Sequence, residues 1–434
     1  MLQILANRTF RHLFAAQVVA LLGTGLLTIA LALLAWDLAG EDAGTVLGTA
    51  LAIKMVAYVV LAPVAAAIAE RVARKPLLIT FDLIRAGIAL LLPLVTEVWQ
   101  IYLLIFLLQA ASAGFTPTFQ ATIPDVLTVE QDYTRALALS RLAYDLENLL
   151  SPMLAAALLM VVSFSVLFVG TTVGFLVSAA LVLSLTLPSP RPARQSRGLC
   201  ERTVRGLRLY LSSPRLRGLL AMNMAVAAAG SMVIVNTVVI VQAGFGLGAS
   251  DVALAMAAFG AGSMLAALGL PRLLDRVADR AVMLIGAAVL AVGLLAGAVL
   301  TETGQGSLLM LWWVLGVGNA AVLTPSGRLL RRSSMPEDRP AVFAAQFALS
   351  HVCWLLAYPL AGMLGAALGM PVTFIILGGV AMLSVAVALV QWPRQQEIAF
   401  RHHHPDLPAD HPHLRENGGP ADHRHPPMVG AEHG

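Results

Sequence analysis

The stretch Glu70-Arg71-Val72-Ala73-Arg74-Lys75 directly follows a long apolar run, and Asp275-Arg276-Val277-Ala278-Asp279-Arg280 does the same later in the chain. Both stretches contain an acid-Arg-Val-Ala core, and they lie 205 residues apart, about half of the apolar part of the chain. Because so dense a charge cluster is unstable in hydrocarbon, each stretch is predicted to be an aqueous turn between two membrane helices. The repeat predicts a chain built from two related halves.

The composition is that of a membrane protein. Hydrophobic residues make up 58% of the 434 residues and charged residues only 12%, with a mean hydropathy of +0.81. Such values exclude a soluble globular domain. The two cysteines, Cys200 and Cys353, lie in unlike regions, which excludes a disulfide framework or a Cys-rich metal motif. The first apolar stretch, 13–36, is longer than a signal-peptide core and is predicted to be a retained span.

Apolar stretches of about 20 residues predict twelve membrane-crossing helices. The predicted fold class is therefore an all-α membrane protein with two six-helix pseudo-repeats. The predicted domains are an N-terminal bundle (1–187), an Arg-rich linker (188–217), a C-terminal bundle (218–393) and a disordered His-rich tail (394–434). The spans are predicted near 13–38, 45–69, 77–95, 98–118, 136–160, 164–187, 218–241, 251–271, 281–300, 307–325, 341–368 and 372–392.

The positions of the charges predict an orientation. All 26 arginines fall on the side of the two termini. The opposite loops contain no Lys or Arg but carry Glu41, Asp42, Glu97, Asp251 and Glu302. The positive-inside rule then predicts cytoplasmic termini and a cytoplasmic linker and tail. Lys54, inside the second span, is either an anchor that reaches the membrane surface or a buried functional charge.

The first charged turn resembles the signature between helices two and three of the major facilitator superfamily, Gly-x-x-x-Asp-Arg-x-Gly-Arg-Arg/Lys. Glu70 occupies its Asp position, and Arg71, Arg74 and Lys75 match its basic positions. Small alanines replace its glycines. The resemblance implies the major facilitator fold, with these residues and their repeat Asp275, Arg276 and Arg280 as a gating motif.

The fifth span contains two carboxylates, which are rare in membrane helices and call for an explanation. Asp145 has Arg141 four residues before it, so a structural ion pair is expected there. Glu147 has no cation on its own helix and lies near the middle of the span. It is expected to bind a proton or a metal and to couple proton movement to transport, with Asp145 as the competing candidate. The segment also weakly resembles the Pro-containing motif of facilitator antiporters, where Pro152 is the one identical residue.

Polar residues of the second half are candidates for the transport path. His351 and Cys353 are two residues apart and cannot chelate a metal together from one helix. His351 alone either lines the path or forms a helix contact. Asn223 and Asn236 are expected to line the cavity.

The tail holds eight of the ten histidines among Pro, Gly and acidic residues. Closely spaced imidazoles on a flexible chain bind divalent Ni, Cu or Zn. A tail that only solvates the protein is the alternative. The candidate metal ligands are His402, His403, His404, His411, His413, His423, His425 and His433.

Taken whole, residues 1–393 with a His-rich tail resemble bacterial nickel-resistance exporters of the major facilitator superfamily. The resemblance implies proton-driven export of nickel, or also cobalt, across the bacterial inner membrane, with metal and protons as the partners of the chain in its lipid bilayer. No enzymatic activity, cofactor, nucleic acid or obligate protein partner is expected. Two alternatives remain. One is an exporter of siderophores, drugs or other organic solutes, because residues 7–25 resemble that branch of the superfamily. The other is a membrane metal sensor or buffer without transport.

Overall fold

The structure, a computed structural model, describes residues 2–69, 73–127, 130–187, 199–334, 338–392, 400–403 and 422–425. Within these residues the chain forms thirteen α-helices and two short strands. The helices are α1 (Arg8–Ala39), α2 (Ala43–Ala69), α3 (Arg74–Leu91), α4 (Val98–Val126), α5 (Glu130–Leu159), α6 (Phe164–Leu183), α7 (Leu199–Ser212), α8 (Pro214–Val239), α9 (Ala249–Leu274), α10 (Asp279–Leu300), α11 (Gln305–Arg332), α12 (Arg339–Leu368) and α13 (Met370–Gln391).

The ends of the helices follow from local sequence. The side chain of Asn7 accepts a 3.1 Å hydrogen bond from the backbone N–H of Phe10 and caps α1. Gly40 ends this helix with φ +54°, and Gly369 ends α12 with φ +78°. Both values lie in the left-handed region that glycine adopts without strain. These two glycines therefore allow the tight connections between α1 and α2 and between α12 and α13.

Ten stretches of the described chain are long and apolar enough to cross a membrane. The first stretch, Arg8–Leu61, contains both α1 and α2, so the ten account for eleven of the long helices. The twelfth is α5, in which only Leu150–Leu159 is apolar because its earlier turns carry many polar and charged side chains. The prediction of an all-α membrane protein with twelve long helices is confirmed.

The two halves repeat the same packing. In the first half α6 packs against α1 and α3, and α4 packs against α2 and α3. In the second half α13 packs against α8 and α10, and α11 packs against α9 and α10. The halves meet where α2 packs along α12 and α5 along α9. The interface between the halves is thus formed by helices that occupy equivalent places in the repeat.

The predicted linker contains α7, an amphipathic helix that the sequence analysis did not predict. A Cβ atom on its Gly206 would lie 2.4 Å from the carbonyl oxygen of Ala341, so α7 contacts the first turn of α12 directly. Arg205 forms a 2.7 Å ion pair with Asp338, and the Tyr210 hydroxyl is hydrogen-bonded to Gln346. These contacts hold the helix against the second half.

Eight residues of the predicted disordered tail are described. They form the strands β1 (Phe400–His403) and β2 (Asp422–His425), which pair antiparallel with His402 opposite His423. This differs from a tail without secondary structure, because backbone pairing can satisfy the N–H and C=O groups of a polar segment that has no apolar core. His404, His411, His413 and His433 lie outside the described residues.

Candidate functional site

Glu147 lies near the middle of α5, where this helix contacts α1. It precedes the end of the helix at Leu159 by twelve residues, about 18 Å along the axis. A Cβ atom on Gly25 of α1 would lie 3.1 Å from Oε1 of Glu147 and 2.1 Å from Oγ of Ser151. Only glycine permits so close an approach of the two helices. The Glu147 side chain is consequently half-buried between helices of the first half.

Lys54 provides the positive charge that the sequence analysis did not find for Glu147. It lies eleven residues into α2, about 16 Å from the start of the helix, and is half-buried. Its ammonium group and the Glu147 carboxylate interact electrostatically. Of the two interpretations of Lys54, the structure therefore favours the buried charge over the surface anchor. The cation comes from a different helix, which the spacing within α5 could not reveal.

Aromatic rings from both halves meet beside Lys54. The rings of Tyr58, one turn after Lys54, and His351 of α12 stack with centroids 5.8 Å apart. The ring of Phe347 lies 3.9 Å from His351, and Nδ1 of His351 donates a 2.7 Å hydrogen bond to the Phe347 carbonyl. Lys54 also acts electrostatically on His351. His351 thus lies at the interface of the halves, next to the charged pair.

Toward the loop that carries Glu41 and Asp42, α2 and α12 touch through their backbones. A Cβ atom on Gly362 would lie 2.1 Å from the Gly44 carbonyl oxygen, and one on Gly48 would lie 2.5 Å from that of Tyr358. Oγ1 of Thr45 donates a 3.3 Å hydrogen bond to the Gly362 carbonyl. We call these five residues the seam. The seam leaves no room for a solute between α2 and α12 at this end.

Two predicted path residues, Asn223 and Asn236, form hydrogen bonds to backbone carbonyl groups. Nδ2 of Asn236 donates a 3.0 Å hydrogen bond to Ala361, and its Oδ1 lies 2.8 Å from the Cβ position of Gly44, so Asn236 belongs to the closure around the seam. Asn223 is buried and donates a 3.0 Å hydrogen bond to Leu219 of its own helix. Each Nδ2 group donates to a nearby carbonyl group, as buried donors generally do, and the expectation that these two amides line the path stays a prediction.

A second buried ion pair lies within the first half. Asp82 pairs with Arg85 and accepts a 2.7 Å hydrogen bond from Ser178. The Arg85 guanidinium lies 4.1 Å from the ring centre of Phe115 and 4.5 Å from that of Phe175. These contacts join α3, α4 and α6 through hydrogen bonds and cation–π interactions. The pair therefore belongs to the packing of the first half.

In the second charged turn, Asp279 is buried, whereas Asp275 of the predicted gating motif is exposed. Asp279 is 8% exposed and pairs with Arg328 and, at 3.3 Å, with Arg332 of α11. Asp275 and Arg276 are exposed. Asp275 is the acid that matches Glu70 in the repeat. Asp279 begins α10 and therefore faces the end of α11. Its neighbour Arg280 is buried and donates from Nε to the Trp392 carbonyl at 2.6 Å.

Several predicted residues of the first half are described only in part. Glu70 and Arg71 lie outside the described residues. Arg74 begins α3, and Nζ of Lys75 donates a 2.6 Å hydrogen bond to the Leu185 carbonyl. Arg141 and Asp145 lie within α5, but their side chains are outside the description, so their expected ion pair stays a prediction.

The described residues contain no group of three or more His, Cys, Asp or Glu side chains that could hold a metal ion. His402, His403, His423 and His425 are described as strand backbone, without their side chains. The predicted metal ligands of the tail are therefore a proposal and not an observed site.

Comparison with known proteins identifies the architecture. The family model described as Major Facilitator Superfamily matches residues 13–235 and 219–415. No curated protein matches the chain by sequence.

Solved structures share the fold at low sequence identity. An inward-facing bacterial homologue of the human lysosomal transporter Spinster is 14% identical, with a TM-score of 0.71 over 88% of this chain and 96% of that chain. A peptide transporter, POT, is 10% identical, with a TM-score of 0.71 over 89% and 95%. The nucleoside transporter NupG is 15% identical, with a TM-score of 0.66 over 88% and 99%. At these identities the likeness establishes the fold alone.

Proposed function

The chain belongs to the major facilitator superfamily, and from this premise we propose that it is a proton-coupled secondary transporter with Glu147 as the coupling residue. The observation that carries the proposal is the Glu147 carboxylate at mid-depth of the first half, which lies against Gly25 of α1 and interacts electrostatically with Lys54. A coupling residue must exchange a proton with water on either side of the membrane, and a carboxylate at this depth is suited to that task.

The chemistry of the pair follows from its surroundings. Ionised Glu147 neutralises the Lys54 ammonium inside a medium of low dielectric constant, where a single unpaired charge is costly. When Glu147 binds a proton, the attraction ends and Lys54 is left without this counterion. Proton binding therefore changes the electrostatics of the interface between the halves, which is the requirement for linking it to a conformational change.

The seam supplies an element that can open and close. Its contacts are backbone approaches at Gly44, Gly48 and Gly362 with one weak hydrogen bond from Thr45, and they include no ion pair. Such a contact can separate without leaving a buried charge behind. Opening of α2 from α12 at this end, with closure at the other end, provides alternating access by motion of one half against the other.

The arginine asymmetry orients this cycle. With the Arg-rich face in the cytoplasm, the seam closes the path toward the outside. In a variant with Cys200 and Cys353 replaced by Ser, Asp42→Cys in intact cells should react with an impermeant thiol reagent. If that cysteine is protected in intact cells and labelled only after the cells are broken, the orientation is the opposite one.

The site favours an organic solute over a metal ion as substrate. Lys54 opposes any cation that approaches Glu147, and the aromatic rings of Tyr58, Phe347 and His351 offer surface for an organic group. The solved relatives named above include transporters of peptides and nucleosides, which supports the same class.

Nickel export, the first sequence-based hypothesis, is the second candidate because eight of the ten histidines lie in the tail. In this case the tail captures the metal near the cytoplasmic mouth and raises its local concentration. Removal of residues 401–434 should then weaken nickel resistance of a sensitive host without abolishing it. Unchanged resistance in the truncated and complete chains would remove the tail from the function.

The test of coupling uses the purified chain in proteoliposomes with an imposed pH gradient. The solutes are 2-naphthoate, 2-naphthylmethanol, 2-naphthylmethylammonium and Ni(II). The wild type should accumulate at least one of them against its gradient. Glu147→Gln keeps the shape of the side chain but cannot ionise, so it should lose uphill accumulation while it retains exchange of the solute across the membrane. Accumulation by the Gln variant at the wild-type rate would remove Glu147 from the coupling mechanism.

A further inference from the structure

We propose that Lys54, Tyr58 and His351 form a recognition site for an organic anion that carries an aromatic ring. The proposal names the substrate class of the transporter proposed above and rests on that function. It stands on three features of the molecule: a lysine whose counterion can be protonated, a set of stacked rings beside that lysine, and a buried hydroxyl group one turn after the counterion.

The first feature is the balance of charge around Lys54. Among the described side chains, its opposing charge is Glu147, and the group that faces it from α12 is His351, which is neutral or positive. Residues 218–250 and 340–392, which include most of α8 and α12, contain no Asp, Glu, Lys or Arg. These stretches of α8 and α12 therefore cannot provide a carboxylate when Glu147 takes up a proton. An anionic group of a solute can provide this negative charge, and it would form a charge-assisted hydrogen bond with the Lys54 ammonium group.

The second feature is the wall of rings. Tyr58 and His351 stack across the interface of the halves, and Phe347 extends the wall by one turn of α12 with 44% of its surface exposed. Phe347 lies against the same His351 ring that stacks on Tyr58. An aromatic ring that stacks on this wall gains about 0.5 to 1.5 kcal/mol beyond the area it buries.

The third feature is Ser151, one turn after Glu147. Its side chain is 1% exposed, and its Oγ atom has no hydrogen-bond partner within the described part of the chain. A buried hydroxyl group without a partner is unfavourable. It lies at the contact with Gly25, beside the Glu147 carboxylate, where it can donate to a bound anion or to the rearranged acid.

A cationic solute fits these features less well. At the Glu147 carboxylate, its charge would be repelled by Lys54. On the opposite wall it would meet His351, which has no negative charge to compensate it. The 26 arginines on the termini side also produce a positive potential at that mouth of the protein. Such a potential concentrates anions and depletes cations.

The arrangement predicts that a proton on Glu147 and an anion on Lys54 favour each other. Among the described side chains, this exchange involves Lys54 and Tyr58 of α2, His351 of α12, and Glu147 and Ser151 of α5, while α1 contributes the uncharged Gly25. The side chain of Asp145 on α5 lies outside the description. By linkage, each ligand raises the affinity of the other by the same factor. The coupled species is therefore the protonated acid together with the bound anion.

The test measures binding to the full-length chain in nanodiscs by calorimetry, with 2-naphthoate, 2-naphthylmethanol and 2-naphthylmethylammonium as probes of equal ring size. The wild type should bind the anion at least tenfold more tightly than the other two. Lys54→Gln should lower the affinity for 2-naphthoate at least tenfold, and Lys54→Arg should restore most of it. Glu147→Gln should raise the affinity several-fold, because the competing carboxylate is gone.

Trp99→Leu serves as the control, since Trp99 is 61% exposed at the start of α4, beside the Glu97 loop, and should bind like the wild type. Preference for the cation, or equal binding of 2-naphthoate by wild type and Lys54→Gln, would overturn the proposal. The opposite signs expected for the Lys54 and Glu147 variants separate a binding site from general damage. Loss of anion selectivity with intact proton coupling would remove the inference and leave the proposed function standing.

Discussion

The two halves of the chain use the same structural parts in the same places. The offset of 205 residues that relates the charged turns also relates Lys75 to Arg280. Lys75 donates to the carbonyl of Leu185 just after α6, and Arg280 to that of Trp392 just after α13, each at 2.6 Å. Both side chains thus tie the third helix of a half to the end of its sixth helix.

The halves differ in what fills the equivalent groove between their first and fifth helices. Gly25 and Gly230 are again 205 residues apart. Gly25 faces Ser151 and Glu147, whereas Gly230 faces the indole of Trp354, whose Cη2 atom would lie 2.2 Å from an added Cβ. The first half therefore places a carboxylate where the second places a ring. The groove of the first half thus contains a titratable group, and the equivalent groove of the second half contains an indole ring.

The largest expected effect comes from adding one methyl group to each groove. In Gly25→Ala, the new Cβ would lie 2.2 Å from the Cβ of Ser151, which cannot move without its helix. In Gly230→Ala, the clash is with the far end of the Trp354 side chain, which can rotate. We expect Gly25→Ala to lower solute transport at least tenfold and Gly230→Ala to lower it no more than about threefold, measured as initial rates in proteoliposomes.

Ser151→Gly provides the matched control for the groove of the first half. It removes both atoms that collide with the new methyl group, so the double variant Gly25→Ala/Ser151→Gly should regain much of the lost rate. Equal losses in the two single glycine variants would show that the grooves are equally sensitive. The distinction drawn between the halves would then fail.

The smallest expected effect concerns the hydrogen bond that joins the third helix of each half to the end of its sixth helix. Lys75→Met and Arg280→Met each remove one hydrogen bond from a charged donor to a helix-end carbonyl, worth about 1 to 2 kcal/mol. Both variants should lower the thermal midpoint in detergent by a few degrees, and Arg280→Met by more, because Arg280 is buried and Lys75 is half-buried. A large drop for one variant and none for the other would show that the ties are not equivalent.

The sequence predicted the features that depend on local pattern. Apolar length gave the twelve long helices, and the absence of a cation on its own helix singled out Glu147. The amphipathic α7 was missed because the Pro- and Arg-rich composition of the linker hid its spacing. The spacing of Leu207 and Tyr210, which both pack inward, is the signal that could have predicted it.

Other features depend on which helices become neighbours, and no spacing within one helix contains that information. Lys54 lies on α2 and Glu147 on α5, so their electrostatic interaction depends on how separate helices are arranged. Asn236 was assigned to the path because it is polar, yet it packs at the seam against Ala361. Asp279, and not Asp275, pairs with Arg328 because the end of α11 lies over the first turn of α10.

The most direct test of the central claim is infrared difference spectroscopy of the chain in lipid as the pH is lowered. We expect a carboxylic-acid carbonyl band in the wild type that is absent from Glu147→Gln. The same band should persist in Asp82→Asn, because Asp82 belongs to the structural pair with Arg85. In Lys54→Gln the Glu147 band should appear at higher pH, since the cation that stabilises the ionised acid is gone. A wild-type band that remains unchanged in Glu147→Gln would contradict the assignment of proton coupling to Glu147.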